Sequence, residues 1–174
     1  MNDESQILFC RLHEDAIIPN KRTEDACYDF FACFDEDFIS IKPLEMKMIP
    51  TQIASVMSPR YAMILHERSS LGAKNISLRA GVVDSGYRAG YNVLLTNLND
   101  VPFIIAKDYV LDEEIKMKLG THKFIRYSYC KAIAQGLLVE IPKVEVREIS
   151  KEELETYSSE RGKNGFGSTN KNIR

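Results

Sequence analysis

The chain has 174 residues, 44% of them hydrophobic and 28% charged, with a formal net charge of -2. That length supports one domain with a real core plus tails and excludes two full-sized domains, while the near-neutral charge excludes a global field able to gather nucleic acid or an anionic membrane. Residues Met1 to Gln6 are acidic and polar where a secretory signal is basic then apolar, and no later apolar run approaches spanning length, so the expectation is a cytoplasmic protein with no membrane or direct nucleic-acid partner.

In chain order, short runs rich in Val, Ile, Phe and Tyr alternate with Pro, Gly, Asn and Asp. They predict strands over 6–12, 28–34, 38–41, 47–56, 61–66, 77–83, 90–98, 103–105, 124–128 and 133–142. So many short strands imply an all-β jelly roll, sandwich or barrel. The run 111–119 has acidic residues first and lysines later, which suits either a helix or a charged loop. From Ser150 the apolar content falls, and the glycine-rich end reads as an arm. Cys10, Cys27, Cys33 and Cys130 lack the paired spacing of a zinc site, and all four are read as small, mostly buried hydrophobes.

Three clusters carry chemistry. In the tail, glycines around Lys163 and Asn164 allow backbone N–H groups to converge on a phosphate, with Arg161, Ser168 and Thr169 as further donors. The order is not that of a Walker loop, and a bland reading is a disordered end. Phe166 favours function, because a ring there can cover a base. Earlier, Glu67-Arg68-Ser69-Ser70-Leu71-Gly72 follows a predicted strand and offers a guanidinium and two hydroxyls to a polyphosphate; its bland reading is a turn capping a short helix. Between them, Gly81-Val82-Val83-Asp84-Ser85-Gly86-Tyr87-Arg88 is a hairpin signal in which Asp84 either begins a turn or deprotonates water beside the phosphates.

These clusters, with Ala26-Cys27-Tyr28-Asp29-Phe30 before them and Ile133-Ala134-Gln135 before the tail, resemble in order the five motifs of the trimeric dUTP nucleotidohydrolases, over a span from about Ala26 to Thr169. The pattern departs from the family at Cys27 and Ala89, where relatives carry glycine, and at Ala132, where they carry arginine. The segment between Asn97 and Ile133 is longer than in most relatives. The resemblance implies a jelly-roll β-barrel homotrimer with a flexible C-terminal arm: a body over 1–155, with an insertion at about 100–123 that is charged enough to be solvated, and an arm over 156–174 that closes on the site.

The activity so implied is hydrolysis of dUTP to dUMP and pyrophosphate, which keeps uracil out of DNA and supplies dUMP for dTMP synthesis. Backbone groups near Gly81 and Val82 would pair with uracil, and Tyr87 would exclude a ribose 2′-hydroxyl. Arg68, Ser69, Ser70 and Gln135 would hold the phosphates from the body, with Arg161, Gly167, Ser168 and Thr169 closing from the tail and Phe166 stacking on the base. Asp84 would be the general base, with Asp29 supporting from behind. Mg²⁺ would bind through phosphates and waters, with no direct protein ligand. A phage or viral member would work in host cytoplasm. One alternative is a dCTP deaminase, which needs a glutamate shuttle where this chain has Leu94. A second is a regulatory protein that binds a repressor-type partner through 100–123.

Overall fold

The computed structural model describes residues 6–159 and 161–163. Their elements in chain order are β1 (Ile7–Arg11), β2 (Tyr28–Phe31), β3 (Phe38–Ile41), β4 (Met46–Pro50), β5 (Ile53–Met57), β6 (Tyr61–His66), α1 (Ser69–Gly72), β7 (Ile76–Arg79), β8 (Val82–Asp84), β9 (Asn92–Asn97), β10 (Phe103–Ala106), α2 (Asp112–Leu119), β11 (Ile125–Ser128), β12 (Ala132–Glu140) and α3 (Lys151–Thr156). Backbone contacts divide the chain into two units, residues 1–142 and 143–174.

The strands of the first unit form open sheets in the orders β1-β5, β11-β10-β3, β2-β12-β6-β8 and β4-β9-β7. Every strand pairing is antiparallel except β10 with β11. Strand alternation decides which side chains reach the core. On β6, Met63 and Leu65 are buried, whereas His66 is exposed and Ile64 only half-buried. Phe30 and Tyr91 stack at 5.6 Å in the centre. The buried Tyr91 hydroxyl meets the Ser55 hydroxyl at 2.6 Å, so the ring is buried without stranding a polar group. Gly136 on β12 is sterically required, because a Cβ there would lie 2.5 Å from Phe30 and 2.6 Å from Met63.

Two expected strands are each broken in two. The run 47–56 divides at Thr51–Gln52, where Gln52 has φ 53°, and the run 77–83 divides at Ala80–Gly81, where Ala80 has φ 56°. Left-handed backbone at a non-glycine residue costs about 1–2 kcal/mol, and the packing on both sides must hold it. Across the first break the buried Thr51 hydroxyl donates to the Tyr91 carbonyl at 2.8 Å.

The segment 100–123 is not solvated throughout, contrary to expectation. Its first half is β10, whose four residues are fully buried between β3 and β11. Its second half, α2, closes on Gly120 with φ 62° and packs Ile115 against Ile104, Ala106 and Val110 as a small second core. Arg126 ties the approach to this helix, donating to the Val110 carbonyl at 2.7 Å, Asp112 at 2.6 Å and the Lys107 carbonyl at 3.1 Å.

The cysteines also need correction. Only Cys33 is buried; Cys27 is half-buried, and Cys10 and Cys130 are exposed, all with free thiols. Cys10 lies exposed within β1, and Cys130 sits in the turn between β11 and β12. In the second unit, the Ser150 hydroxyl caps α3 by accepting from the Glu153 N–H at 3.0 Å. Of the expected tail residues, Arg161 is described, whereas Phe166, Gly167, Ser168 and Thr169 lie outside the described residues.

Candidate active site

One end of the four-stranded sheet gathers the polar residues of the Arg68 cluster. β6 ends at His66, the chain stays extended through Arg68, and α1 then begins, anchored by the fully buried Leu71. Leu71 packs inward while Ser69 and Ser70 remain exposed. The Arg68 guanidinium grips the Asp29 carboxylate with both forks, Nε to Oδ1 at 3.1 Å and Nη2 to Oδ2 at 3.2 Å, and Nη1 donates to the Ala132 carbonyl at 3.3 Å. Such bidentate pairing fixes the plane of the arginine as well as its charge. The Gln135 amide donates to the Glu67 carbonyl at 2.7 Å and so holds the turn before α1. Asp29, Arg68 and Gln135 line a common cavity of about 590 Å³ with the loop 20–27.

Residues outside the expected set complete this cluster. The Glu67 carboxylate accepts from the Leu78 N–H at 3.2 Å and the Ser77 hydroxyl at 3.3 Å, which fastens the turn before α1 to β7. Its own backbone N–H, then these two donors, hold the Glu67 carboxyl below the usual glutamate range against the opposing effect of partial burial. The Tyr127 hydroxyl donates to the Ala132 carbonyl at 2.8 Å and lies 3.3 Å from the Ser70 hydroxyl. Thus Ala132 contributes its carbonyl as the shared acceptor for Arg68 and Tyr127. No composition signal marks a backbone role of that kind.

The second half of the candidate site is built on β8, an edge strand. The Gly81 carbonyl accepts from the Leu65 N–H at 2.8 Å. Antiparallel pairs alternate between bonded and non-bonded positions, so the N–H and C=O of Val82 point away from β6 to the open edge. Gly81 can carry no side chain, because a Cβ would sit 2.5 Å from the Leu65 carbonyl oxygen. A cavity of about 270 Å³ opens here, lined among others by Leu78, Gly81, Val82, Asp84, Tyr87 and Leu94. Leu94 faces it with an apolar side chain, so no proton shuttle stands at that position.

Beyond the strand, the Tyr87 N–H closes a turn onto the Asp84 carbonyl at 3.0 Å. The Tyr87 hydroxyl donates to the Gly90 carbonyl at 3.3 Å, and the ring leans on Tyr91 with 42% of the residue exposed. Arg88 staples this turn from within, its Nη1 reaching the Ser85 carbonyl at 2.6 Å and that of Tyr87 at 3.0 Å. The Asp84 side chain is exposed and makes no hydrogen bond among the described residues.

The two halves do not meet within one chain. Asp84 stands opposite Ala62 on β6, six positions before Arg68. At about 3.3 Å per extended residue they are roughly 20 Å apart. Both belong to the same outward face of the sheet, where Asp29, Gln135 and His66 also lie in register.

The family model for dUTPase matches residues 13–111, more than half of the chain. The chain belongs to the dUTPase family. Its match ends where α2 begins, so the helix lies beyond the part of this dUTPase-family chain that the family model covers. The deoxyuridine 5'-triphosphate nucleotidohydrolase of Clostridium kluyveri is 32% identical over 168 residues, covering 94% of this chain and 97% of the relative. Among solved structures, a Staphylococcus bacteriophage 80alpha dUTPase with dUpNHpp superposes with a TM-score of 0.73 at 22% identity, covering 95% of this chain and 98% of that one. A phage phi11 dUTPase of S. aureus, solved to visualise its species-specific insert, gives a TM-score of 0.64 at 19% identity and 84% and 97% coverage. These likenesses fix the mostly-β architecture of this dUTPase-family chain as that of the dUTPase jelly roll.

Proposed function

We propose that this chain hydrolyses dUTP to dUMP and pyrophosphate, with Asp84 as the general base. The observation that carries this reading is the exposed Asp84 carboxylate at the end of an edge strand, beside a cavity above Gly81 and Val82. Uracil pairs with the outward N–H and C=O of Val82, and the fixed order of donor and acceptor there rejects cytosine, whose pattern is exchanged. The Tyr87 ring lies under the deoxyribose and excludes a 2′-hydroxyl sterically. Asp84 holds a water, takes its proton and directs it in line at the α-phosphorus.

The phosphates meet Arg68, Ser69, Ser70 and Gln135, with Asp29 orienting Arg68 through the bidentate pair. By the family resemblance, the tail residues Arg161, Gly167, Ser168 and Thr169 would add phosphate donors and Phe166 a ring to cover the base. Among the described residues no three acidic, His or Cys side chains cluster as a metal cage. Asp29 is engaged with Arg68, so these donors suit Mg²⁺ that arrives on the triphosphate and keeps most of its waters. When bound, the ion neutralises charge on the phosphate oxygens; the protein's own residues orient the nucleotide and move the proton.

Because the Asp84 and Arg68 halves stand roughly 20 Å apart in one chain, one triphosphate reaches both only if different copies supply them. Shared sites in an assembly of copies follow, and the family resemblance makes that assembly a homotrimer. The outward face of the β2-β12-β6-β8 sheet supports it: Ile64, Leu137 and Val139 are half-buried and Val82 is 68% exposed, an apolar surface for another copy. A second role, binding a repressor-type protein through the 100–123 region, draws on the exposed Tyr109, Leu111 and Met117 around α2.

The test is pyrophosphate release from dUTP by wild type and by Asp84→Asn. The isosteric amide keeps the contacts and removes the base, so turnover falls by about 10²–10⁴-fold while dUpNHpp still binds. Turnover near wild type in the purified variant would reject Asp84 as the base.

A further inference from the structure

The cavity above Gly81 and Val82 holds one charged side chain that the mechanism above does not use. Arg79 is the last residue of β7; it is exposed, and its guanidinium makes no hydrogen bond or ion pair among the described residues. In register it stands opposite Leu94 on β9, which in turn stands opposite Met48 on β4. Directly opposed residues of antiparallel strands share a face. Val93 and Leu95, on either side of Leu94, are buried, so this row lies on the outward face. Arg79, Leu94 and Met48 all line the cavity of about 270 Å³ beside Val82. Past Arg79 the chain turns at Ala80, with φ 56°, and enters β8. At most about 7.6 Å therefore separates the Cα atoms of Arg79 and Gly81.

Donor accounting gives that guanidinium a task. The pairing edge of uracil presents a carbonyl oxygen on either side of one N–H. Val82 offers that edge one N–H and one C=O from its backbone, which satisfy the N–H of the base and one of its oxygens. The other oxygen still needs a donor, and leaving it bare on desolvation weakens binding. The neutral polar side chains around the cavity are already engaged. The Tyr87 hydroxyl and the Asn92 amide both donate to the Gly90 carbonyl, at 3.3 Å and 3.2 Å. The Tyr91 hydroxyl meets that of Ser55 at 2.6 Å. The nearby Arg88 is turned to the Ser85 and Tyr87 carbonyls. Asp84, when ionised, only accepts. Among the described residues, Arg79 is the one cation lining this cavity, and its five N–H donors meet no partner there. The apolar Leu94 and Met48 beside it suit the aliphatic stem of an arginine and leave its guanidinium to a ligand.

We propose that Arg79 is a base-contacting residue of the dUTP site, donating to the uracil carbonyl oxygen that Val82 leaves over. This rests on the reading above that uracil pairs with the outward N–H and C=O of Val82. Because the contact falls on the base, it strengthens binding of the nucleoside as well as of the triphosphate. A guanidinium that met the phosphates instead would strengthen only the latter.

The experiment measures binding of dUpNHpp with Mg²⁺ and of deoxyuridine by calorimetric titration, for wild type, Arg79→Met and Arg79→Lys, with melting curves to establish that each variant folds. A hydrogen bond from a charged donor, discounted for the exposure of this side chain, corresponds to about 5- to 20-fold in affinity. Arg79→Met is expected to weaken both ligands by about that same factor, and Arg79→Lys, which keeps a charged donor on a flexible stem, by less. Wild type and Arg79→Met are then titrated with 2-thiodeoxyuridine and 4-thiodeoxyuridine, in which sulfur, a weak acceptor, replaces one oxygen or the other. One of the two analogues should lose affinity for wild type by a factor that Arg79→Met does not show, which names the oxygen Arg79 meets. Unchanged deoxyuridine binding by Arg79→Met, with or without a loss for dUpNHpp, overturns the assignment while leaving the dUTP reading intact. Thio analogues whose effects are the same in wild type and Arg79→Met overturn it equally. Wild-type protein that neither hydrolyses dUTP nor binds dUpNHpp overturns that reading and the Arg79 assignment with it.

Discussion

Single atoms decide much of what this site can do. Gly81 is one such position: Gly81→Ala drives a methyl against the Leu65 carbonyl, forcing β8 away from β6 at a cost of about 1–3 kcal/mol. A lower melting temperature with disproportionate loss of dUpNHpp affinity is expected, measured by thermal unfolding and calorimetric titration. Tyr87→Ala keeps the uracil edge and removes the steric barrier, so the preference for dUTP over UTP in kcat/KM falls by about 10–200-fold. Glu67 gives a pH signature. Its folded-state carboxyl titrates below its unfolded value because of its own N–H, Leu78 and Ser77, so its contribution to stability is present above the unfolded value and is lost as pH falls through the folded one. Glu67→Gln should lower the melting temperature at pH 7–8, where the charged carboxylate contributes, and converge on wild type below about pH 4.5, which flattens the acid side of its melting profile. Asp84, Arg68 and Gln135 stand out in the sequence as candidates because chemistry-bearing residue types recur there in a specific order. Ala132 and Glu67 could not, since one acts through a carbonyl and the other through contacts made only after β7 folds alongside.

Elements were legible where side-chain alternation is clean. β3 and β6 match the expected bounds, because their apolar runs end at charged or turn residues. The breaks at Gln52 and Ala80 leave no glycine at the residue that turns, so the chain reads as continuous until backbone angles are known. The region 100–123 teaches the same point in reverse: β10 is apolar and was expected as a strand, yet the charges of α2 lend the whole stretch a solvated look. The two halves therefore respond differently to deletion. Removing 100–123 takes out the central strand of β11-β10-β3 and should abolish folding. Removing 111–121 with a short linker uncovers Ile104 and Ala106, and should cost a few kcal/mol of stability while hydrolysis persists. Melting curves and dUTP turnover of the two deletions check this, and a repressor-type partner that binds through α2 would be lost in the shorter one.

At the scale of the whole molecule, the account depends on sites shared between copies, because one chain holds the Asp84 and Arg68 halves at opposite ends of β6. Co-folding Asp84→Asn chains with Arg68→Ala chains should regenerate some intact sites in mixed trimers and give activity above either parent; sedimentation showing an active monomer would contradict the shared-site arrangement. The central claim is selective cleavage of dUTP, and pyrophosphate release by the purified chain with Mg²⁺ across dUTP, UTP, dCTP, dTTP, dATP and dGTP tests it most directly. Release from dUTP, with the other nucleotides at least about 100-fold slower in kcat/KM, is the predicted result. Comparable release from UTP or dCTP, or none from dUTP, would contradict it.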